Sequence, residues 1–130
     1  MEFLRIESTK FTPGIVLDPH SHVLEFYGFS LPENAHDFYQ PVINWIIAYK
    51  DEILRLTTFP NINVIFKFSY FNSSSLRKII EIFTFFSEMY QKGVPVTILW
   101  QYDSEDPSMA ESGKEIGDIA KIPVTLVAYN

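Results

Sequence analysis

Val64-Ile65-Phe66-Lys67-Phe68-Ser69-Tyr70-Phe71-Asn72-Ser73-Ser74-Ser75-Leu76 reads as a buried strand that runs straight into the start of a helix, with three serines at the join. Val64, Phe66, Phe68 and Tyr70 fall on one face of the strand, and Ile65, Lys67 and Ser69 fall on the other. Such a run of aromatic and β-branched residues suits a central strand. Asn72 or Ser73 can cap the helix, because a short polar side chain there accepts a hydrogen bond from a backbone N–H that has no partner within the helix. Leu76, Ile79, Ile80, Phe83, Phe86 and Tyr90 then recur at spacings of three and four, which an α-helix turns into one apolar stripe.

A hydroxyl at that junction has two readings. In the simpler one each serine caps the helix or faces solvent. In the sharper one the junction lies on the functional rim of an open α/β sheet, which such folds place at the carboxyl ends of their strands. A phosphoryl group there would be tolerated by its own helix, whose N-terminus favours an anion, and Arg77, one turn beyond Ser73, could pair with it.

Working outward, Phe3–Glu7 reads as an edge strand that Thr12-Pro13-Gly14 ends. Ile15–Leu17 and Val23–Tyr27 read as a hairpin with a five-residue loop, Asp18-Pro19-His20-Ser21-His22. The run Phe38, Val42, Trp45, Ile46, Tyr49 and Ile53 predicts a helix with Trp45 in the core, in which Pro41 marks either a boundary or a kink. Beyond the central helix, which stops at Lys92-Gly93, Pro95–Trp100 reads as a strand, Ser108–Ala120 as a weakly amphipathic helix and Pro123–Ala128 as a last strand. The expected fold is therefore α/β: a mixed sheet with an antiparallel N-terminal meander, then β-α-β-α-β with right-handed crossovers and about three helices.

The chain has 130 residues, no cysteine and a net charge of -6, which fits one compact acidic domain spanning residues 1–130. Its apolar fraction of 47% and aromatic fraction of 16% are too high for a disordered chain. No apolar run approaches a membrane span and the first residues lack the order of a signal peptide, so the expected location is cytoplasmic. The acidic balance argues against a nucleic-acid or membrane partner, either of which would meet a basic patch, and favours a protein partner.

Most chemistry can be set aside. The serine junction has no glycine with which to cradle a phosphate, so neither nucleotide nor other cofactor is expected. A serine nucleophile needs a histidine base, and His20, His22 and His36 all lie in the N-terminal third. Asp18, His20 and His22 sit on a hairpin tip, a poor frame for tetrahedral zinc, and no metal ligands are assigned. Asp103, Glu105 and Asp106 read as a solvated cap ahead of a helix, at the same rim as Ser73 if their strands run parallel. No catalytic residue is expected; the competing enzymatic reading is a small metal- or serine-dependent hydrolase using the three histidines.

Ser30-Leu31-Pro32-Glu33-Asn34, Phe38-Tyr39-Gln40-Pro41 with Trp45, Tyr70-Phe71-Asn72-Ser73-Ser74-Ser75 and Tyr102-Asp103, in that order, resemble the SiaC family of regulatory phosphoproteins, whose fold is similar to STAS domains and anti-sigma factor antagonists. The resemblance spans nearly the whole chain. It implies a non-enzymatic bacterial switch protein in a partner-switching module, phosphorylated on a hydroxyl by a dedicated serine/threonine kinase and dephosphorylated by a PP2C-type phosphatase. In the best-known members the unphosphorylated form binds and activates a diguanylate cyclase. Motif matching makes Ser73 the acceptor, a serine where the family often carries threonine, with Ser74 and Ser75 as lesser candidates. Tyr70, Phe71, Asn72, Ser74, Arg77, Tyr102 and Asp103 form the expected partner-binding rim. The same fold also admits an antagonist that sequesters an anti-sigma factor kinase.

Overall fold

The computed structural model describes residues 1–130. The elements follow in the order β1 (Leu4–Ile6), β2 (Gly14–Asp18), β3 (Val23–Ser30), α1 (Ala35–Leu54), β4 (Ile62–Phe71), α2 (Ser73–Gln91), β5 (Val96–Asp103), α3 (Pro107–Ala120) and β6 (Val124–Tyr129). They build one six-stranded sheet in sequence order, β1-β2-β3-β4-β5-β6. The first two pairings are antiparallel and the last three parallel, the mixed topology that the alternation of patterns predicts.

Three right-handed crossovers that all step the same way along a sheet must put their helices on one face. Burial agrees with that geometry. Leu24 and Phe26 of β3, Val64, Phe66 and Phe68 of β4, and Ile98 and Trp100 of β5 are buried beneath the helices. Their neighbours Glu25, Tyr27, Ile65, Lys67, Leu99 and Gln101 are half-buried or exposed on the uncovered face. Phe66 is the hub of the core, with ring centroids at 4.8 Å from Phe26, 4.7 Å from Phe83 and 5.6 Å from Trp100.

Several local expectations change. Asp18 belongs to β2 and pairs with Val23, so the hairpin loop has four residues rather than five. Pro41 neither ends nor divides α1, which runs unbroken from Ala35 after its Asn34 cap. The stripe of α2 is turned relative to the predicted one: Ile82 and Met89 are buried while Tyr90 is exposed. The strand Val96–Asp103 runs three residues past the predicted end at Trp100, because Gln101, Tyr102 and Asp103 find partners in Val127, Ala128 and Tyr129.

Gly113 and Gly117 let α3 settle onto the sheet. A Cβ at Gly113 would stand 2.5 Å from the Trp100 ring, whose Nε1 donates to the Met109 carbonyl at 2.9 Å. Gly to Ala inside a helix ordinarily gains about 1 kcal/mol. Here overpacking against a fixed indole reverses the sign, and Gly113→Ala is expected to lose about 1–3 kcal/mol in a urea titration.

Candidate functional site

A bulge near the end of β4 decides what the serine junction displays. Register runs Gly28↔Phe68 and then Phe29↔Tyr70, so Ser69 is an extra residue in β4, opposite Gly28 at φ 92° in β3. The inserted residue flips the alternation. Phe71 turns inward against Phe68 and Trp100, at 5.8 Å and 6.2 Å between ring centroids. Tyr70, expected on the core face with Val64, Phe66 and Phe68, is instead 51% exposed. Its cross-strand neighbour Phe29 is 46% exposed, so the bulge presents two adjacent aromatic rings at the rim. Phe11, also exposed, belongs to the segment whose carbonyl accepts Leu31 N at 2.8 Å, just beyond Phe29.

The chain leaves β4 at Phe71 and enters α2 with Asn72 as the cap, its side chain accepting from Ser75 N at 2.9 Å. Ser73 and Ser74 occupy the first two helical positions and are exposed. Ser75 is different: it is fully buried. Its hydroxyl donates to the Ser30 carbonyl at 2.9 Å and accepts from Ser30 Oγ at 2.8 Å. Each hydroxyl has one proton, so the Tyr39 hydroxyl must donate to Ser30 Oγ, 2.5 Å away. This closed relay ties β3, α1 and α2 together under the rim, and it removes Ser75 as a hydroxyl that an enzyme could reach in the folded chain.

Burial pushes the Tyr39 phenol up to about 12, with the Ser30 and Ser75 hydroxyls pulling the other way. A raised phenol favours the fold while the unfolded chain also keeps its proton. Stability is therefore expected to hold below about pH 10 and to fall as pH climbs from the free tyrosine value toward 12. Thermal melts of wild type and Tyr39→Phe across that window should show the alkaline loss shrinking in the variant.

Ser74 opens onto a hollow of about 440 Å³ between the starts of α1 and α2, lined also by Glu33, His36, Arg77, Lys78 and Glu81. Lys78 Nζ lies 3.3 Å from His36 Nδ1 and 3.6 Å from Glu81, whereas Arg77 is exposed and makes no ion pair. The sequence marks His36 only as one of three histidines and does not mark Lys78; the placement of two helix starts at one end of the sheet brings both beside Ser74.

Because β4 and β5 are parallel, the Asp103 loop does lie at the same end of the sheet as Ser73. Asp103 Oδ1 accepts from Glu105 N at 2.9 Å and Asp106 Oδ1 caps α3 through Met109 N at 3.2 Å, so both carboxylates shape the loop. With Ser69, Phe68 and Tyr129 the three acids line a hollow of about 210 Å³. Tyr102 is half-buried and packs against the core.

The histidine loop is at the opposite end of the sheet. Asp18 accepts from His20 N at 2.9 Å and from Ser21 Oγ at 2.8 Å, and these bonds, that of the His20 backbone foremost, hold its carboxyl below the usual carboxylate range. His22 Nδ1 is 2.6 Å from the Tyr49 hydroxyl. Asp18, Ser21 and His22 thus close the hairpin and fasten it to α1, while the exposed His20 ring makes no hydrogen bond.

A model of the SiaC family of regulatory phosphoproteins matches residues 6–129. An uncharacterized protein of Pseudomonas aeruginosa (strain UCBPP-PA14) is 28% identical over 130 residues, all of this chain and 99% of that protein. The crystal structure of apo-SiaC from Pseudomonas aeruginosa superposes with a TM-score of 0.86 at 27% identity, over 98% of this chain and 100% of that one. The SiaC chain in the crystal structure of the diguanylate cyclase SiaD bound to its activator SiaC matches equally well, with a TM-score of 0.86 over 97% of this chain and 99% of that one. Bulge, serine junction and acidic loop are thus set in a fold that sequence and structure both identify: the chain belongs to the SiaC family of regulatory phosphoproteins.

Proposed function

We propose that this protein is a non-enzymatic cytoplasmic switch whose state is written on Ser73. A serine/threonine kinase adds the phosphoryl group, a PP2C-type phosphatase removes it, and the unphosphorylated form docks on an effector, a diguanylate cyclase. The observation that carries this reading is the contrast along the serine run: Ser73 is exposed at the first position of α2, whereas Ser75 is locked in a buried relay. The solved complex of a SiaC with a diguanylate cyclase supplies the class of effector.

The physics of the switch follows from where the charge arrives. A phosphoryl group adds close to two negative charges at neutral pH. Its own fold accommodates them, since the start of α2 favours an anion and Arg77, one turn on, is free to pair. A partner approaching the rim meets those charges at the end of the sheet that also carries Asp103, Glu105 and Asp106. The docking face comprises Phe29, Tyr70 and the exposed part of Phe71, with Asn72, Ser74 and Arg77 at its border. Phosphorylation thus repels the partner without loosening the domain.

The test pairs binding with stability. Ser73→Asp is expected to bind the host's diguanylate cyclase at least about tenfold more weakly than wild type, a like-charge effect of the size seen across interfaces. Its melting temperature should be equal or slightly higher, and Ser73→Ala should bind like wild type. Equal affinity for wild type and Ser73→Asp would remove Ser73 from the switch.

A further inference from the structure

The two edges of the sheet are unlike. β1 has three residues, carries Arg5 in its middle and is followed by Glu7, the short and charged form in which natural sheets blunt an edge. β6 has six residues, Val124–Tyr129, with no charge, proline or bulge within them. Its outer backbone groups face no neighbouring strand, and β6 is last in the sheet. Leu126 on the helix side and Val127 on the open side are 39% and 38% exposed. Nothing in this edge discourages pairing.

The ends of β6 differ in charge, the finish being acidic on balance although Lys67 Nζ lies 4.6 Å from the centre of the Tyr129 ring. Lys121 stands exposed in the left-handed cap just before the strand. At the other end Tyr129 pairs with Asp103, and Glu105 and Asp106 follow in the same loop. A strand that is basic at its start and flanked by acids at its finish is complementary to itself run backwards. We infer that β6 is a self-association edge, on which a second copy of this chain pairs antiparallel about a two-fold axis, joining two sheets into one of twelve strands. Each copy's Lys121 then approaches the other's Glu105 loop, and Leu126 and Val127 are covered on both faces. The contact is isologous, so association closes at the dimer and does not run on into fibres. A single strand pair is at the small end of specific interfaces, which makes the dimer one of micromolar or weaker affinity and dependent on protein concentration.

Sedimentation equilibrium of the unphosphorylated full chain, from about 1 µM to 1 mM, tests it across the affinities that an interface of this size gives. A monomer–dimer equilibrium is expected. Val127→Lys, which sets two ammonium groups close across the axis, should weaken it at least about tenfold without lowering the melting temperature. Lys121→Glu should weaken it too, and the double variant Lys121→Glu/Glu105→Lys should restore it. Hydrogen exchange on the wild-type chain gives a readout free of substitutions: β6 amides should gain protection as concentration rises. A chain that stays monomeric alone, including one that uses β6 only to pair with its effector, would overturn the inference. So would a dimer indifferent to Val127→Lys, or a charge reversal that fails to rescue.

Discussion

Phe66→Ala is expected to lose about 3–5 kcal/mol, a large share of what an ordinary domain has to spare. Phe66 is fully buried in the middle of β4, where it touches the sheet through Phe26 at 4.8 Å and the helix layer through Phe83 at 4.7 Å, and meets Trp100 at 5.6 Å. Those neighbours are held by their own strands and helix, so they cannot close the space a lost ring leaves. The residual cavity adds to the lost transfer free energy. Denaturant titration should show the midpoint falling with the slope unchanged; a loss under about 1 kcal/mol would mean that the core collapses around the gap.

The second large effect falls on binding. Phe29→Ala with Tyr70→Ala is expected to weaken effector binding about a hundredfold or more, since exposed aromatic anchors at the centre of an interface commonly contribute 2 kcal/mol or more each. Both rings are about half exposed in the free chain. Removing them should therefore leave the melting temperature within a few degrees of wild type. Titration of the double variant against the diguanylate cyclase reads the affinity directly. Undiminished binding would move the docking face elsewhere, most simply to the hollow between the starts of α1 and α2 lined by Ser74, Arg77 and Lys78.

What the sequence made legible is what depends on local pattern. The run from Val64 to Leu76 announces strand, cap and helix, and each is present, with Asn72 and not Ser73 as the cap. The alternation of strand and helix signals after a hairpin gave the mixed, antiparallel-then-parallel character of the sheet, while the order β1-β2-β3-β4-β5-β6 came only with the pairings themselves. What it hid depends on partners far along the chain. The bulge is invisible because Phe68-Ser69-Tyr70 continues a plausible alternation, and only pairing with Gly28 and Phe29 makes Ser69 the extra residue.

The sequence ranks Ser73 first by motif, but local pattern does not tell the exposed Ser74 from the buried Ser75. Ser75 is distinguished by Ser30 and Tyr39, which are 45 and 36 positions away, and no local periodicity encodes that relay. Likewise the pairing of His36 with Lys78 spans 42 positions and exists only because α1 and α2 start at the same end of the sheet. Pro41 left a boundary and a kink both open, and the structure removes the boundary. The helix α1 continues through it, held by a buried face that includes Tyr39, Val42, Ile43, Trp45, Ile46 and Tyr49. Tertiary burial there outweighs the one hydrogen bond that a proline forfeits.

We propose that one exposed hydroxyl at the start of α2, that of Ser73, holds the state of the switch. The most direct measurement is phosphosite mapping by mass spectrometry of the pure chain after incubation with ATP and lysate of its native host, with Ser73→Ala treated in parallel. Phosphate on Ser73 of the wild type, absent from the variant, is the expected result. A wild-type chain that stays unmodified in lysate with active kinases, or one that carries its phosphate on another residue and keeps it in Ser73→Ala, would contradict the account.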